Sequence, residues 1–373
     1  METLIDLLPL FKKRGGKEVF IYRTGIRRFT FSYKQLYDLI LKMASFLEQR
    51  GIKEGDKVAI WAPNSPYWAV SFFGILLKEA VVVPIDFAMG GKRAQNIVDI
   101  SGSSFVISSN YKFEKLTGID NVEIEDLTFL LNSVLPQNDL PKPKPDSVAE
   151  IVYTSGTTAN PKGVILNHKN LVTNVLQAEE HITIPFRFKF LSVLPLSHLF
   201  EQTAGFLTPL HRGDKIIYLR TIKPSAIMEA FSQEDVAAML IVPRLLLLLK
   251  NLIEKEFASL GLGRLLKINI FKKILSYPVH RKIGSNFQMF ISGGAALPFT
   301  TARFWEGMGF RVVEGYGLTE CAPIVSANTF EKQILGSVGK PVKGVKIKLD
   351  GGELLVKGDN VFSGYYKNEK ETE

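Results

Sequence analysis

The sequence predicts an α/β protein: parallel sheets with helices on their faces, followed by a small antiparallel β subdomain. Three observations carry this. Short runs rich in Val and Ile recur along the chain, helix-length segments separate them, and short alternating segments with glycine turns take over from about residue 338. In order, "KVAIWAP" at 57–63 reads as a strand and "SPYWAVSFFGILLKE" at 65–79 as an amphipathic helix. "VVVPID" at 81–86 reads as another buried strand. The pattern repeats with "SFVISS" at 104–109, "EIVYTS" at 150–155, "FLSVLP" at 190–195, "KIIYLR" at 215–220, "AAMLIVP" at 237–243 and "FQMFISG" at 287–293. "PQNDLPKPKPDS" at 136–147 is rich in Pro and Lys and reads as an extended surface connection. "VGKPVKGVKIKLDGGELLVKGDNVFSGYY" at 338–366 supplies the antiparallel segments, and "KNEKETE" at 367–373 is a polar, helix-like start. These readings divide the chain into a first α/β part at 1–147, a second at 148–335, a small β subdomain at 336–366 and the start of a further segment at 367–373.

A length of 373 residues calls for two or three domains or subdomains. Hydrophobic content of 46% with 22% charged residues is ordinary for a globular protein. The longest apolar stretch, "MLIVPRLLLLLKNLI", is broken by Pro243, Arg244 and Lys250 and is too short to span a bilayer. The first residues carry an acid early and their basic residues after the apolar part, the wrong order for a secretory signal. Cys321 is the single cysteine, which excludes an intrachain disulfide and points to a reducing, cytoplasmic setting. The net charge of +9 permits nucleic acid, anionic lipid or a polyphosphate as partner. Between Phe257 and Gln288 there is no acid, while Arg264, Lys267, Lys272, Lys273, Arg281 and Lys282 accumulate. A solvated basic face is the plain reading; peripheral contact with anionic lipid at the inner face of the membrane is the sharper one. No nucleic-acid recognition motif accompanies these cations.

The stretch "YTSGTTANPKGV" at 153–164 follows a strand directly. Ligands collect at the carboxyl ends of strands in such sheets. Small residues there can turn several backbone N–H groups toward one point, hydroxyls add donors without bulk, and Lys162 adds a full positive charge. That set suits the oxygens of a polyphosphate, although the spacing is not that of the GxxxxGK[ST] loop and a Ser/Thr-rich surface turn is the competing reading. "SGGAALP" at 292–298 follows a strand and leaves room for a flat ligand. "EGYGLTE" at 314–320 follows the strand "RVV" and offers the Tyr316 ring, the Thr319 hydroxyl and the Glu320 carboxylate. A carboxylate near phosphates usually holds Mg2+.

In this order the three motifs resemble the adenylate-forming (AMP-binding) superfamily, which includes acyl-CoA synthetases, luciferases and peptide-synthetase adenylation domains. The resemblance runs from "FTFSYKQLYDLIL" to "LLVKGDNVFSGYYKN", nearly the whole chain. "LPLSHLFEQTAG" at 194–205 and the "SGGAALP" variant resemble the long-chain fatty acyl-CoA synthetase branch. The implied fold is the large N-terminal domain of such enzymes, with two parallel-type sheets. The implied reaction joins a fatty acid to AMP with pyrophosphate release, then passes the acyl group to the CoA thiol. A ligase that delivers to an acyl carrier protein shares every motif, and a non-catalytic nucleotide-binding relative is the reading from another class.

The resemblance assigns roles residue by residue. Thr154, Ser155, Gly156, Thr157, Thr158 and Lys162 would cradle the β- and γ-phosphates of ATP. Thr319 would contact the α-phosphate, and Glu320 would hold Mg2+. Gly294, Ala295 and Ala296 would line one side of the adenine slot, with Glu314, Gly315, Tyr316 and Gly317 on the other. His198 would lie near the reacting carboxylate and the path of the thiol. Phe200, Gly205, Val242, Pro243, Gly294 and Leu318 would face the acyl chain. The family's Thr-Gly-Asp motif, whose Asp binds the ribose, is expected downstream of "GYYKN", and Asp359 is not that residue. The C-terminal domain with its adenylation lysine is likewise expected beyond this sequence. On that reading these residues alone form an inactive or strongly impaired ligase.

Overall fold

The computed structural model describes residues 1–25, 27–154, 161–182, 187–263 and 269–372, with backbone alone over 269–274. Among the described residues, one sheet has nine strands and a second has seven. The nine-stranded sheet runs Lys340–Pro341, Ile324–Ala327, Arg311–Gly317, Met289–Ser292, Ala238–Ile241, Lys189–Ser192, Lys215–Leu219, Glu18–Thr24, Arg27–Ser32. Pairing is parallel from Arg311–Gly317 to Glu18–Thr24 and antiparallel at both edges. The seven-stranded sheet runs Gly364–Tyr365, Lys162–Asn167, Val148–Thr154, Val81–Pro84, Lys57–Ile60, Ser103–Ser108, Asp120–Glu123. It is parallel from Val148–Thr154 onward, with the first two pairings antiparallel. Every strand read from the sequence is present within a few residues of its expected place.

The sheets do not follow the successive segments 1–147, 148–335 and 336–366. Strands Glu18–Thr24 and Arg27–Ser32 join the nine-stranded sheet, while Val148–Thr154 and Lys162–Asn167 join the seven-stranded one. Within 336–366, only the hairpin Lys346–Asp350 and Glu353–Lys357 stands apart; Lys340–Pro341 and Gly364–Tyr365 close the edges of the two large sheets. Each sheet thus borrows strands from another segment, and this ties the whole chain together.

Helix Pro66–Leu77 starts cleanly, with Ser65 Oγ accepting from Trp68 N at 3.2 Å and Pro66 in the first turn. The sequence reading made it amphipathic, but all its residues except Tyr67 are buried, so it is covered on every side. Trp68 stacks on Phe72 with ring centroids 5.5 Å apart, and Phe206 meets both edge-on at 5.8 Å. Phe206 comes from the segment after His198, so this aromatic cluster anchors the backbone of the candidate site. Residues 136–147 form neither helix nor strand; half of them are exposed and Pro143 is buried. Among the described residues, no helix is long and apolar enough to cross a membrane.

Candidate functional site

Parallel register places the carboxyl ends of four strands side by side. Ala238 pairs with Phe190, Ile241 with Ser292, and Ser292 with Glu314. The residues at these ends are therefore neighbours: Val193–His198, Val242–Pro243, Gly293–Leu297 and the strand end Glu314–Gly317 with Leu318. Gly293 packs under the Phe200 ring, where a Cβ would come 3.0 Å from Cζ. Gly294 has φ +80°, which favours glycine, and the place of its missing Cβ is 4.0 Å from Val242 Cγ1. Phe200, Gly294 and Val242 thus meet around one space. Pro243 opens helix Pro243–Ser259, directly after Val242 at its N-cap.

Gly294, Ala295, Ala296, Tyr316 and Gly317 are exposed and form an open shelf. Leu297 N donates to Glu314 Oε1 at 3.2 Å, which ties the two walls of the shelf together. Glu314 is itself buried, and burial pushes its carboxyl above the usual range. The sequence reading set "EGYG" after the strand; the strand instead runs through Gly317, held antiparallel to Ile324–Ala327. Close approach explains the glycines. A Cβ on Gly315 would sit 3.2 Å from Ser326 O, and one on Gly317 would collide with Pro323 O.

The hairpin of Val148–Thr154 and Lys162–Asn167 sets Lys162 directly across from Thr154. Ser155, Gly156, Thr157 and Thr158 lie outside the described residues. Lys162 Nζ is 2.5 Å from a Glu371 carboxylate oxygen and 5.4 Å from the centroid of the Tyr365 ring. The Tyr365 hydroxyl donates to Glu320 Oε1 at 2.9 Å. Burial first, and Glu320 second, push that hydroxyl up to about 12, so it keeps its proton. Lys162 and Glu320 therefore stand on either side of one tyrosine. Thr319 and Glu320 lie in a single 3-10 turn, pinned where Phe362 N donates to Glu320 O at 2.8 Å. Leu318 precedes the turn and packs with Ala204 on the cluster around Cys321 and Ile324.

His198 is exposed, with Nε2 3.4 Å from Asp86 Oδ2. That bond holds the Asp86 carboxyl below its ordinary value. Asn64 fixes the approach to His198: its Nδ2 donates to Leu194 O at 2.7 Å and to Ser192 Oγ at 3.1 Å, and its Oδ1 accepts from Leu196 N at 2.9 Å. The helix expected after His198 is present, but its first part, Glu201–Leu207, is π-helical. Glu201 and Glu150 are fully buried, and burial pushes both carboxyls up to about 8. Gln202 Nε2 donates to Glu150 Oε1 at 2.8 Å, while Glu201 packs against Gly205, where a Cβ would come 2.7 Å from its carboxyl oxygen. Gly205 is thus buried under Glu201.

Sequence reading missed Asp86, Asn64, Glu150, Glu201 and Tyr365. Asp86 had a signal, since it ends the strand run "VVVPID" as His198 follows "LSVLP". Glu150 and Glu201 had a weaker one, as acids inside apolar runs.

A family model described as AMP-binding enzyme matches residues 11–366. The chain belongs to the AMP-binding enzyme family. Among its relatives is the long-chain-fatty-acid–CoA ligase FadD15 of Mycobacterium bovis, 28% identical over 86% of this chain and 61% of the relative. Another is the chloroplastic long-chain-fatty-acid–[acyl-carrier-protein] ligase AEE15 of Arabidopsis thaliana, 26% identical over 91% of this chain and 60% of the relative. The chain thus spans about three-fifths of the length of these curated relatives. Among solved structures, the N-terminal domain of FACL13 from Mycobacterium tuberculosis superposes with a TM-score of 0.82 at 22% identity, covering all of this chain and 93% of that one. The fold is therefore that of the N-terminal domain of adenylate-forming enzymes.

Proposed function

We propose that the chain carries the adenylation site of a long-chain fatty acid–CoA ligase. The observation that carries this reading is the meeting of Lys162 and Glu320 about Tyr365, beside an open shelf of glycine and alanine. Relatives named as long-chain ligases supply the substrate class. ATP would lie with its adenine between Gly294–Ala296 and Gly315–Gly317. Its phosphates would reach Lys162, which already holds one anion in the Glu371 carboxylate. That carboxylate is exposed enough for a phosphate to replace it.

The chemistry sets a carboxylate against the α-phosphate, negative charge meeting negative charge. The oxygen–phosphorus bond to the acyl group forms as the bond to pyrophosphate breaks, so cations and donors matter more than a base. Lys162 and the Thr319 hydroxyl would supply them. The residues also fit Mg2+: Glu320 has one oxygen bound by Tyr365, and a carboxylate can accept further contacts. The metal needs only one or two protein carboxylates when phosphates supply the rest, and it would neutralise phosphate charge. In the second half the thiol sulfur bonds to the acyl carbon and AMP leaves. His198, held by Asp86, would take the thiol proton. Phe200, Val242, Leu318 and Gly294 would border the acyl chain.

In the full-length protein, fatty acid-dependent exchange of labelled pyrophosphate into ATP tests the first half, and product analysis with CoA against acyl carrier protein tests the second. Exchange with a long-chain acid and thioester on CoA is expected. No exchange with any fatty acid overturns the reading, and thioester on the carrier protein alone reassigns the acceptor. The basic stretch is a candidate contact with anionic membrane. Of it, Arg264 and Lys267 lie outside the described residues, and Lys282 already pairs with Glu256. Vesicle sedimentation with and without anionic lipid tests that contact; equal binding to both removes it.

A further inference from the structure

Lys189 and Lys215 begin neighbouring parallel strands, so they stand at the amino end of the nine-stranded sheet. The shelf and His198 belong to the opposite, carboxyl end. At the amino end a cavity of about 470 Å³ opens, with Arg14, Lys17, Arg187, Lys189 and Lys215 in its walls. Glu18 and Asp214 are the acids there, and both are engaged. Glu18 holds Lys215 at 2.7 Å; Asp214 accepts from Arg212 Nε at 2.7 Å and from Phe188 N at 2.8 Å. Lys189 is 3.3 Å from Asp235.

Arg14, Lys17 and Arg187 are left. Among the described residues, no carboxylate lies within 4.0 Å of any of the three. Arg14 spends its outer nitrogens on neutral acceptors, Leu210 O and His211 O, and its guanidinium lies over the Tyr33 ring. Both guanidinium groups close on one point of backbone, Gly213. A Cβ there would lie 2.9 Å from Arg14 Nε and would collide with Arg187 Nη1. Gly213 also has φ +85°, so glycine is favoured twice over. Convergent like charges repel unless an anion lies between them, and the guanidinium fork matches phosphate oxygens.

We propose that this cavity binds a phosphate-bearing anion at a site separate from the adenylation centre. A phosphate group carries close to two negative charges and three acceptor oxygens, which suits three cations without a direct ion pair better than one carboxylate does. The volume admits more than a single phosphate, so a phosphate ester or short polyphosphate fits. The phosphate could belong to a soluble molecule or to a lipid headgroup. Lys17 and Arg187 are exposed, so their removal leaves the core untouched.

The test uses inorganic tripolyphosphate by titration calorimetry, and vesicles of phosphatidylcholine with and without phosphatidic acid. Wild type is compared with Lys17→Gln/Arg187→Gln and with Lys162→Ala, after matched thermal melts establish that each is folded. Expected is tripolyphosphate binding that weakens at least about tenfold in the double variant and persists in Lys162→Ala, as loss of charge-assisted contacts implies. Binding only to phosphatidic acid vesicles, lost in the double variant, assigns the phosphate to a lipid headgroup. Overturning results are binding lost only in Lys162→Ala, which places it in the nucleotide loop, and no difference between wild type and the double variant with either probe. The adenylation reading is judged separately by pyrophosphate exchange.

Discussion

The proposed nucleotide half and the proposed acyl half of the site are built in opposite ways. The shelf of Gly294–Ala296 and Tyr316–Gly317 is exposed, and its charged groups, Lys162 and Glu320, are only partly buried. The segment beyond His198 is closed: Glu201, Gln202, Thr203 and Gly205–Leu207 are buried, and two carboxyls lie there with burial holding them protonated near neutral pH. The difference suits the two proposed ligands. Polyphosphate arrives hydrated and needs charge on an accessible rim, whereas an acyl chain gains about 0.8 kcal/mol per buried CH2 only where water is excluded. An ionised acid in the closed half would draw water in, and burial prevents it.

The largest effect is expected on the open half. In the full-length protein, Lys162→Ala should slow acyl-adenylate formation by roughly 100- to 1,000-fold, about 2.7–4 kcal/mol, because a donor to developing phosphate charge is lost. Pyrophosphate exchange measures it, and a thermal melt close to wild type is expected because the Lys162 pair with Glu371 is at the surface. Gly317→Ala should destabilise the fold by about 1–3 kcal/mol, since the added Cβ meets Pro323 O. Urea denaturation measures that loss, and an unchanged midpoint would show that the strand crossing can open without cost.

The closed half should respond to pH with the opposite sign from an ordinary carboxylate. Glu201 goes from its ordinary 4.5 in the free chain to about 8 in the fold. Between those values the unfolded chain is ionised while the folded protein keeps its proton. Stability therefore falls as pH rises from about 4.5 to about 8 and levels off above. Glu201→Gln should remove part of that slope and raise stability on the order of 2 kcal/mol at pH 8. Melts between pH 5 and about 8.5 decide it; parallel profiles for variant and wild type contradict a buried neutral acid. The smallest effect is expected from Asp86→Asn, about 1 kcal/mol in thioester formation, through a less firmly oriented His198. The adenylation half-reaction should hardly change, so comparing the two half-reactions isolates it.

Much of the open half was legible, and for a physical reason. Small residues at or just beyond the end of a buried apolar strand are a local pattern, so "SGGAALP" and "EGYGLTE" stand out. The closed half depends on contacts between distant segments. Asp86 meets a histidine 112 positions later, and Glu150 meets Gln202 across 52. Strand exchange was hidden likewise. Nothing local in "EVFIYRT" at 18–24 says that it pairs with Lys215–Leu219 and not with the nearer strand Lys57–Ile60. The buried helix Pro66–Leu77 passed as amphipathic because its length and its ends, Ser65 and Lys78, fit a surface helix.

On the proposed reading, one site holds a nucleotide on its open half and a long acyl chain in its closed half. Binding of a non-hydrolysable acyl-sulfamoyl adenosine tests it directly, with calorimetry on acyl groups of increasing length. Affinity is expected to rise with each added pair of methylenes, by up to about 1.6 kcal/mol per pair, until no more of the acyl chain is buried. Lys162→Ala is expected to leave this length dependence in place, since that residue serves the other half. An affinity independent of acyl length, equal to that of the nucleotide portion alone, would contradict it.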